Sequence, residues 1–252
     1  MDLCERQQAD GRRHPWELAR SRFFRSLAAD HMDLERCRRV LDVGAGDGWL
    51  AGELHGDLSG DAEVVCWDVN YSGEDLAAPL PHGLQRTTEP PSGTFDLVLL
   101  LDVLEHITDD AAFLDEAVVP RLHRTSVLLV STPAYEVLFS AHDRALGHHR
   151  RYRPRTLQRL LAARFEIVER GGLFTTLLPL RAAGAMADRL GRPGGTEGIG
   201  AWEHGEKLTA AAAGVLAADA RTGRWMARRG IAVPGLSTWA VCRSMPPPHG
   251  RG

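Results

Sequence analysis

The 252-residue chain is predicted to form an α/β domain. The expected architecture is a doubly wound, seven-stranded, mostly parallel sheet with a helical insertion before the last strand. One observation is the run Arg39–Val43, which ends in a glycine-rich turn and then opens a helix. A second is the run Phe95–Asp102, whose apolar stretch from Leu97 to Leu101 is typical of a central parallel strand covered on both faces. Strand-like and helical segments alternate around these runs, which favours βαβ units.

Composition and charge exclude several classes of protein. Hydrophobic residues at 44% and charged residues at 25% are ordinary globular values, and a net charge of −3 gives no overall attraction to nucleic acid or acidic lipid. The scattered cysteines, without metal-ligand spacing, favour reduced thiols. The chain opens without an apolar leader and holds no apolar run near 18 residues, so we expect a cytoplasmic protein without a membrane span.

The first predicted element is an N-terminal helix over residues 15–30, starting at a proline that a first helical turn tolerates. Its apolar residues Leu18, Phe23, Phe24 and Leu27 fall roughly on one face. The helix packs on the domain in one interpretation. In the other, compatible with it, the helix caps a ligand site and brings Trp16 and Arg20 to the substrate.

The glycine turn after the first strand is the strongest indication of a ligand site. Glycines at every second position leave backbone exposed for close approach of a ligand. The third glycine comes one residue earlier than in the dinucleotide pattern, where Trp49 stands instead. Asp42 beside the turn would repel a pyrophosphate and favours a cationic ligand. The predicted binding residues of this stretch are Asp42, Gly44, Ala45, Gly46 and Gly48.

A second strand, Glu63–Trp67, ends at Asp68, twenty residues after Gly48. An acid at this point of a doubly wound sheet accepts hydrogen bonds from ribose hydroxyls, so Asp68, with Val69 beside it, is predicted to bind a cofactor. The following residues 69–94 are irregular, and we expect a short helix near 74–78 and a short strand near 83–87.

Two motifs resemble those of the class I S-adenosylmethionine-dependent methyltransferases, in particular the small bacterial type similar to methyltransferases 11 and 23. The turn matches motif I, (D/E)-x-G-x-G-x-G, and residues 95–110, FDLVLLLDVLEHITDD, look like motif IV. The resemblance covers roughly residues 15–170 and 235–243. It implies a Rossmann-like fold, S-adenosyl-L-methionine as cofactor, and contact of Asp102, Val103 and Leu104 with that cofactor. The family usually has an acid after the third strand, where Glu89 is the only nearby candidate.

A polar stretch, His142–Tyr152, follows the predicted fifth strand at 127–131. It is interpreted as a substrate-facing loop, as a plain solvated loop, or as a metal site of His142, Asp143 and His148. The metal site is the weaker interpretation because the order matches no fixed ligand pattern, and no metal is predicted. His106 is either a base near the methyl group or a structural histidine. The candidate catalytic residues are His106, His142 and His148, and the candidate substrate residues are Trp16, Arg20, Asp143, Arg150, Arg151 and Tyr152.

The C-terminal part is predicted to contain a helix over 155–163, a strand over 165–169 and a last, antiparallel strand over 236–242. Residues 171–234 form the insertion, with a Gly/Pro loop at 191–198 and an Ala-rich helix at 209–220. A long loop with its own helices is more often a lid or an interface, and a protein partner or a homodimer would use this insertion. Residues 245–252 are predicted to be a disordered tail.

The sequence thus predicts a single domain that transfers a methyl group from S-adenosylmethionine to a small-molecule acceptor. The alternative is a protein that keeps the fold, transfers no methyl group and serves as the partner subunit of another enzyme. Methylation of RNA would need a basic groove continuous with Arg150–Arg155, and the net charge offers no wider basic face.

Overall fold

A computed structural model describes residues 13–189, 202 and 204–245. Their strands form a seven-stranded sheet in the order β3-β2-β1-β4-β5-β7-β6, in which β7 is antiparallel to both of its neighbours. The strands are β1 (Arg39–Val43), β2 (Glu63–Trp67), β3 (Leu84–Thr87), β4 (Phe95–Leu101), β5 (Leu122–Pro133), β6 (Phe165–Leu173) and β7 (Ser237–Ser244). The predicted fold class is confirmed.

Helices cover both faces of this sheet. They are α1 (Pro15–His31), α2 (Trp49–His55), α3 (Gly73–Ala77), α4 (Asp110–Phe113), α5 (Ala141–Ala145), α6 (Pro154–Ala162), α7 (Leu178–Arg189) and α8 (Glu206–Ala227). One core layer joins α1 and α8 to the sheet, through residues such as Phe24, Leu216 and Trp239. The other layer packs the segment after β4 and α6 against the opposite face, with Leu114 and Leu161 fully buried. No helix in the described part of the chain has the length and apolarity needed to cross a bilayer.

Helix α4, which follows β4 along the chain, is only one turn long. Asp109 caps α4, which ends at Phe113 and passes into a π turn, Leu114–Val118, and then a 3₁₀ turn, Val119–Arg121. Pro120 in that last turn has no N–H with which to continue a helix.

Strand β6 extends to Leu173, so the insertion begins later than the predicted residue 171. A Cβ atom on Gly171 would lie 2.8 Å from the indole of Trp239, and one on Gly172 would lie 2.4 Å from the carbonyl oxygen of Val233. These glycines therefore permit close packing inside a strand, although their sequence pattern indicated its end.

Helix α8 of the insertion packs on α1 and β6. Partly buried Glu169 of β6 accepts hydrogen bonds from Arg224 of α8 at 2.8 and 2.9 Å, and Arg224 reaches Asp30 of α1 at 2.6 Å. Burial acts to raise the pKa of Glu169, but the hydrogen bonds from Arg224, His31 and Arg228 outweigh it and lower the pKa to about 2. The predicted Gly/Pro loop at 191–198 lies outside the described residues, as does the predicted tail after Met245.

Candidate active site

A cleft lies where the carboxyl ends of β1 and β4 face α1. The residues that line it are Glu17, Arg20, Ser21, Asp42, Gly44, Ala45, Trp49, Leu50 and Leu101. Three predicted cofactor residues therefore share one cleft with Arg20 of the predicted cap.

The turn after β1 has the left-handed backbone that its glycines permit, with φ of 64° at Gly44, 57° at Gly46 and 75° at Gly48. The amide of Gly44 donates to the carbonyl oxygen of Trp67 at 2.7 Å, which ties the turn to the end of β2. A Cβ atom on Gly44 would lie 2.5 Å from a methyl carbon of Val103. This close approach explains why Gly44 and Val103, far apart in sequence, border the same space.

Asp42 is buried at the end of β1, with 4% of its surface exposed. Burial raises the pKa of Asp42 to about 7, although Arg20 acts in the opposite direction. Ser21 of α1 lines the same cleft, and its buried hydroxyl oxygen has no hydrogen-bond partner among the residues that the structure describes. A carboxylate that titrates near neutrality and an unpartnered hydroxyl are groups that a cationic, hydrogen-bonding ligand can satisfy.

Asp68 follows β2 and holds the glycine turn from its other side. One carboxylate oxygen accepts the amide of Gly46 at 2.9 Å, and the other accepts the amide of Asn70 at 2.9 Å. A carboxylate has about four acceptor positions, so Asp68 retains capacity for further donors such as ribose hydroxyls. Val69, the residue after Asp68, is 70% exposed. Glu89, the acid nearest to the end of the third strand, is also exposed, on the loop after β3.

The end of β4 carries Asp102 in a left-handed conformation, with φ of 60°. Its carboxylate pairs with Arg20 of α1 at 2.8 Å and accepts the hydroxyl of Ser131 at 2.9 Å. The next two residues, Val103 and Leu104, are buried. Asp102 therefore connects the cap helix to the middle of the sheet at the edge of the cleft.

Helix α1 carries two predicted substrate residues, Trp16 and Arg20, of which Arg20 lines the cleft. The guanidinium of Arg20 lies 5.3 Å from the ring centre of Trp16, and Arg13 pairs with Asp47 of the glycine turn at 2.5 Å. We find Glu17 in the cleft wall as well, where its carboxylate also accepts the amide of His14 at 3.2 Å.

The predicted substrate loop contains a buried ion cluster. Asp143 is fully buried and accepts Arg151 and Arg181 at 2.7 Å each. Burial acts to raise the pKa of Asp143, but His148 and the two arginines outweigh it and lower the pKa well below its usual range. Asp143 and Arg151 thus contact protein partners, and their role toward a substrate stays a prediction.

Tyr152 and Arg150 are directed at the start of α4 and the residues just before it. The hydroxyl of Tyr152, a buried residue, donates to Asp110 at 2.7 Å, and Arg150 donates to the carbonyl oxygen of Thr108 at 2.7 Å. Burial, with Asp110, raises the pKa of Tyr152. Tyr152 therefore anchors the loop to α4, and its contact with a substrate stays a prediction.

Of the three candidate catalytic histidines, His106 and His148 are in contact with each other, and His142 is the third. The rings of His106 and His148 meet edge to face, with centres 4.6 Å apart. Burial and the nearby Arg181 lower the pKa of His142.

Glu105 was missed by sequence reasoning and lies beside this pair. It is fully buried, and burial and Asp102 raise its pKa well above the usual value. Within the described part of the chain, no other residue donates a hydrogen bond to its carboxylate oxygens. The sequence did offer one indication, because Glu105 lies between Leu104 and His106, which were both candidate site residues.

Comparison with known proteins identifies the family. A family model described as a methyltransferase domain matches residues 11–169. A ubiquinone biosynthesis O-methyltransferase of Maricaulis maris is 28% identical over 114 residues, which cover 40% of this chain and 45% of the relative. The match thus spans less than half the length of that curated relative.

Solved structures share the fold at low identity. The [4+2]-cyclase SpnF is 20% identical with a TM-score of 0.54, over 94% of this chain and 85% of its own. Coclaurine N-methyltransferase, bound to N-methylheliamine and S-adenosylhomocysteine, is 11% identical with a TM-score of 0.54, over 89% of this chain and 70% of its own.

Proposed function

Since this chain belongs to the methyltransferase domain family, matched over residues 11–169, we propose that it transfers the methyl group of S-adenosylmethionine to a small-molecule acceptor. One observation carries the proposal. The cleft joins Asp42 and the glycine turn to the end of β4, and Asp68 holds the turn from the adjacent strand. A cationic nucleoside ligand needs this combination of an acid, exposed backbone and a ribose acceptor.

The described residues fit that cofactor in chemistry. Asp42 would pair with its amino group, the hydroxyl of Ser21 would satisfy a polar group of the ligand, and Asp68 would accept its ribose hydroxyls. Asp102, Val103 and Leu104 would border it from β4, as the family resemblance implies. Bound there, the cofactor would supply an electrophilic methyl group.

The protein's own contribution is then mainly to position the two reactants. Alignment can contribute ~7–11 kcal/mol, whereas a general base typically adds about 3–5 kcal/mol. The pair Arg20–Asp102 holds α1 across the cleft edge, which would fix the direction from which an acceptor approaches. A low-molecular-weight acceptor accords with the net charge of −3, which offers no attraction for a polyanion.

Calorimetric titration with S-adenosylhomocysteine tests the cofactor site. We expect binding by the wild type and at least about tenfold weaker binding by Asp68→Ala, since one charge-assisted hydrogen bond contributes ~1.5–3 kcal/mol. Glu74→Ala, an exposed acid on α3, is the matched control and should bind like the wild type. Absence of wild-type binding at millimolar ligand would refute the proposal.

The alternative is that the chain binds the cofactor but acts as a partner subunit. The insertion exposes Leu180, Met186, Val215 and Trp225, each more than half accessible, and a protein partner or a second copy would bind there. Binding of S-adenosylhomocysteine with no methyl transfer to any of a panel of hydroxyl, amine and carbon acceptors would favour this alternative.

A further inference from the structure

A second groove adjoins the glycine turn, between α2 and the strands β2 and β3. Its volume is about 240 Å³. Since one water molecule takes up about 30 Å³ of the liquid, the groove has room for a small organic molecule. Asp47 and Gly48 of the turn belong to its wall, and Trp49 borders both the groove and the cofactor cleft. Asp42 and Asp68 lie outside that wall. The groove is therefore a neighbour of the proposed cofactor site and not a part of it.

Two features of the chain leave this groove open. Helix α3, which connects β2 to β3, has only five residues, and every residue of β3 retains some exposure. On α2, Gly52 presents no side chain, and a Cβ atom there would meet nothing within 4 Å. Because crossover helices normally cover the faces of a parallel sheet, the short α3 and Gly52 account for the opening.

Most of the groove wall is apolar. Leu80 and Pro81 come from the connection between α3 and β3, Leu84 from β3 and Trp49 from α2. Cys66 of β2 is buried in the same wall, and burial raises the pKa of its thiol, which therefore stays neutral. An apolar ligand body gains free energy when such a surface removes it from water. The groove thus suits the apolar part of a ligand.

Arg86 of β3 brings a positive charge to the groove. Its guanidinium donates hydrogen bonds to the carbonyl oxygens of Asp75 at 2.9 Å and Asp47 at 3.1 Å. Both acceptors are uncharged backbone groups, and the Nε–H of Arg86 has no acceptor within the described residues. A guanidinium forms its strongest hydrogen bonds with carboxylates and phosphates. Arg86 is therefore the group that a ligand's carboxylate can satisfy.

The other charged groups of the wall are paired. Arg13 lies 2.5 Å from a carboxylate oxygen of Asp47, and Glu53 lies 2.9 Å from Arg25 of α1. Because these pairs cancel in charge, Arg86 determines the net sign of the groove. An anionic ligand is attracted there, and a cationic one is repelled.

We propose that this groove binds a small monocarboxylic acid with an apolar body. Its carboxylate would accept hydrogen bonds from Arg86, and its body would pack against Leu84 and Trp49. Binding is noncovalent, and it involves neither the methyl group nor the cofactor. The proposal therefore goes beyond the proposed function and does not depend on it.

Nuclear magnetic resonance titration of the whole chain tests the groove. The probes are 3-phenylpropanoate and hexanoate, and the indole N–H signal of Trp49, assigned through Trp49→Phe, reports on the groove wall. We expect saturable binding of both acids, with dissociation constants in the millimolar range. The neutral amide 3-phenylpropanamide should bind at least about tenfold more weakly, because it forms no charge-assisted hydrogen bond.

Gly52→Leu fills the groove from α2 and should abolish detectable binding of both acids. Gly214→Leu is the matched control, because it places the same side chain at an exposed position of α8 that also has nothing within 4 Å of a Cβ atom. It should bind the acids like the wild type. Leucine is a better helix former than glycine, so both variants should fold, which circular dichroism verifies.

Arg86→Gln separates a contact with the carboxylate from a structural role. Loss of the contact should weaken binding of the acids at least about tenfold and leave the affinity for the amide nearly unchanged. Equal weakening of all three probes would overturn the assignment of the carboxylate to Arg86. Should Arg86→Gln not fold, the acids and the amide in the wild type and the two glycine variants still decide.

Three results would overturn the proposal as a whole. They are the absence of saturable binding of either acid to the wild type at tens of millimolar, equal affinity for the acids and the amide, and wild-type affinity in Gly52→Leu.

A repeat of the titration with S-adenosylhomocysteine present keeps this proposal distinct from the proposed function. The acids should still bind, whereas competitive displacement would place them in the cofactor cleft and overturn the groove site. Binding of the acids without binding of S-adenosylhomocysteine would refute the proposed function alone. Binding of S-adenosylhomocysteine without binding of the acids would refute the groove site alone.

Discussion

Asp42 couples the cofactor cleft to pH at the scale of a single residue. Burial raises the pKa of Asp42 to about 7, so the group is mostly neutral at pH 6 and mostly ionised at pH 8. Only the ionised form attracts the amino group of S-adenosylhomocysteine. We therefore predict that the affinity for this ligand rises by up to about tenfold from pH 6 to pH 8, measured by calorimetric titration.

Asp42→Asn provides the control for this pH dependence. The amide keeps the shape of the carboxyl group but carries no charge at any pH. The variant should bind weakly, with an affinity that changes little over the same range. A pH dependence equal to that of the wild type in Asp42→Asn would assign the titration to another group.

The spacing of nearby residues predicted the candidate cofactor site, but it did not predict the buried ion cluster around Asp143. Asp42 and the glycine turn lie within a few residues of each other, so the sequence displays their relation directly. The burial of Asp143 depends on Arg181, which is 38 positions away in the insertion. No local pattern reports such a contact, and the polar loop therefore indicated solvent or substrate where the structure has a buried ion cluster.

At the scale of elements, α8 depends on small side chains where it packs on the domain. Ala220 is 3% exposed in the core layer shared with α1, whereas Ala218 is exposed on the same helix. Ala220→Leu should lower the free energy of unfolding by about 1–3 kcal/mol, because extra methyl groups in a packed core force neighbours apart. Urea unfolding followed by circular dichroism measures the change.

Ala218→Leu adds the same atoms on the solvent side and should change the free energy of unfolding by less than about 0.5 kcal/mol. Alanine and leucine have similar helix propensities, so the pair isolates packing. Equal effects of the two substitutions would mean that α8 does not pack through Ala220.

The central strands could be predicted because each of them is a local run of apolar residues, and such runs are buried. β1, β2 and β4 end within a residue of the predicted limits. β6 is longer than predicted, because antiparallel pairing with β7 continues through Gly171 and Gly172 to Leu173. The same pairing adds Thr132 and Pro133 to β5, whereas the first residue of β5, Leu122, pairs with Phe95 of β4. Such pairing is a tertiary effect, and the sequence shows only the residues that it joins.

At the scale of the whole molecule, α1 links the cleft to the insertion. Its first turns reach the site through Arg20 and Asp102, and its last turn reaches α8 through Asp30 and Arg224. A ligand in the cleft would contact the first part of this helix, since Glu17, Arg20 and Ser21 line the cleft wall. Binding should therefore stabilise α1 against local opening.

Hydrogen exchange followed by mass spectrometry measures this stabilisation. With S-adenosylhomocysteine at 100 times its dissociation constant, amides of α1 and of the turn at 44–48 should exchange up to about 100-fold more slowly. The β6–β7 pairing, on the far edge of the sheet, should be unaffected. Asp68→Ala at the same ligand concentration should show less protection. Protection of the turn without protection of α1 would show that the helix does not enclose the ligand.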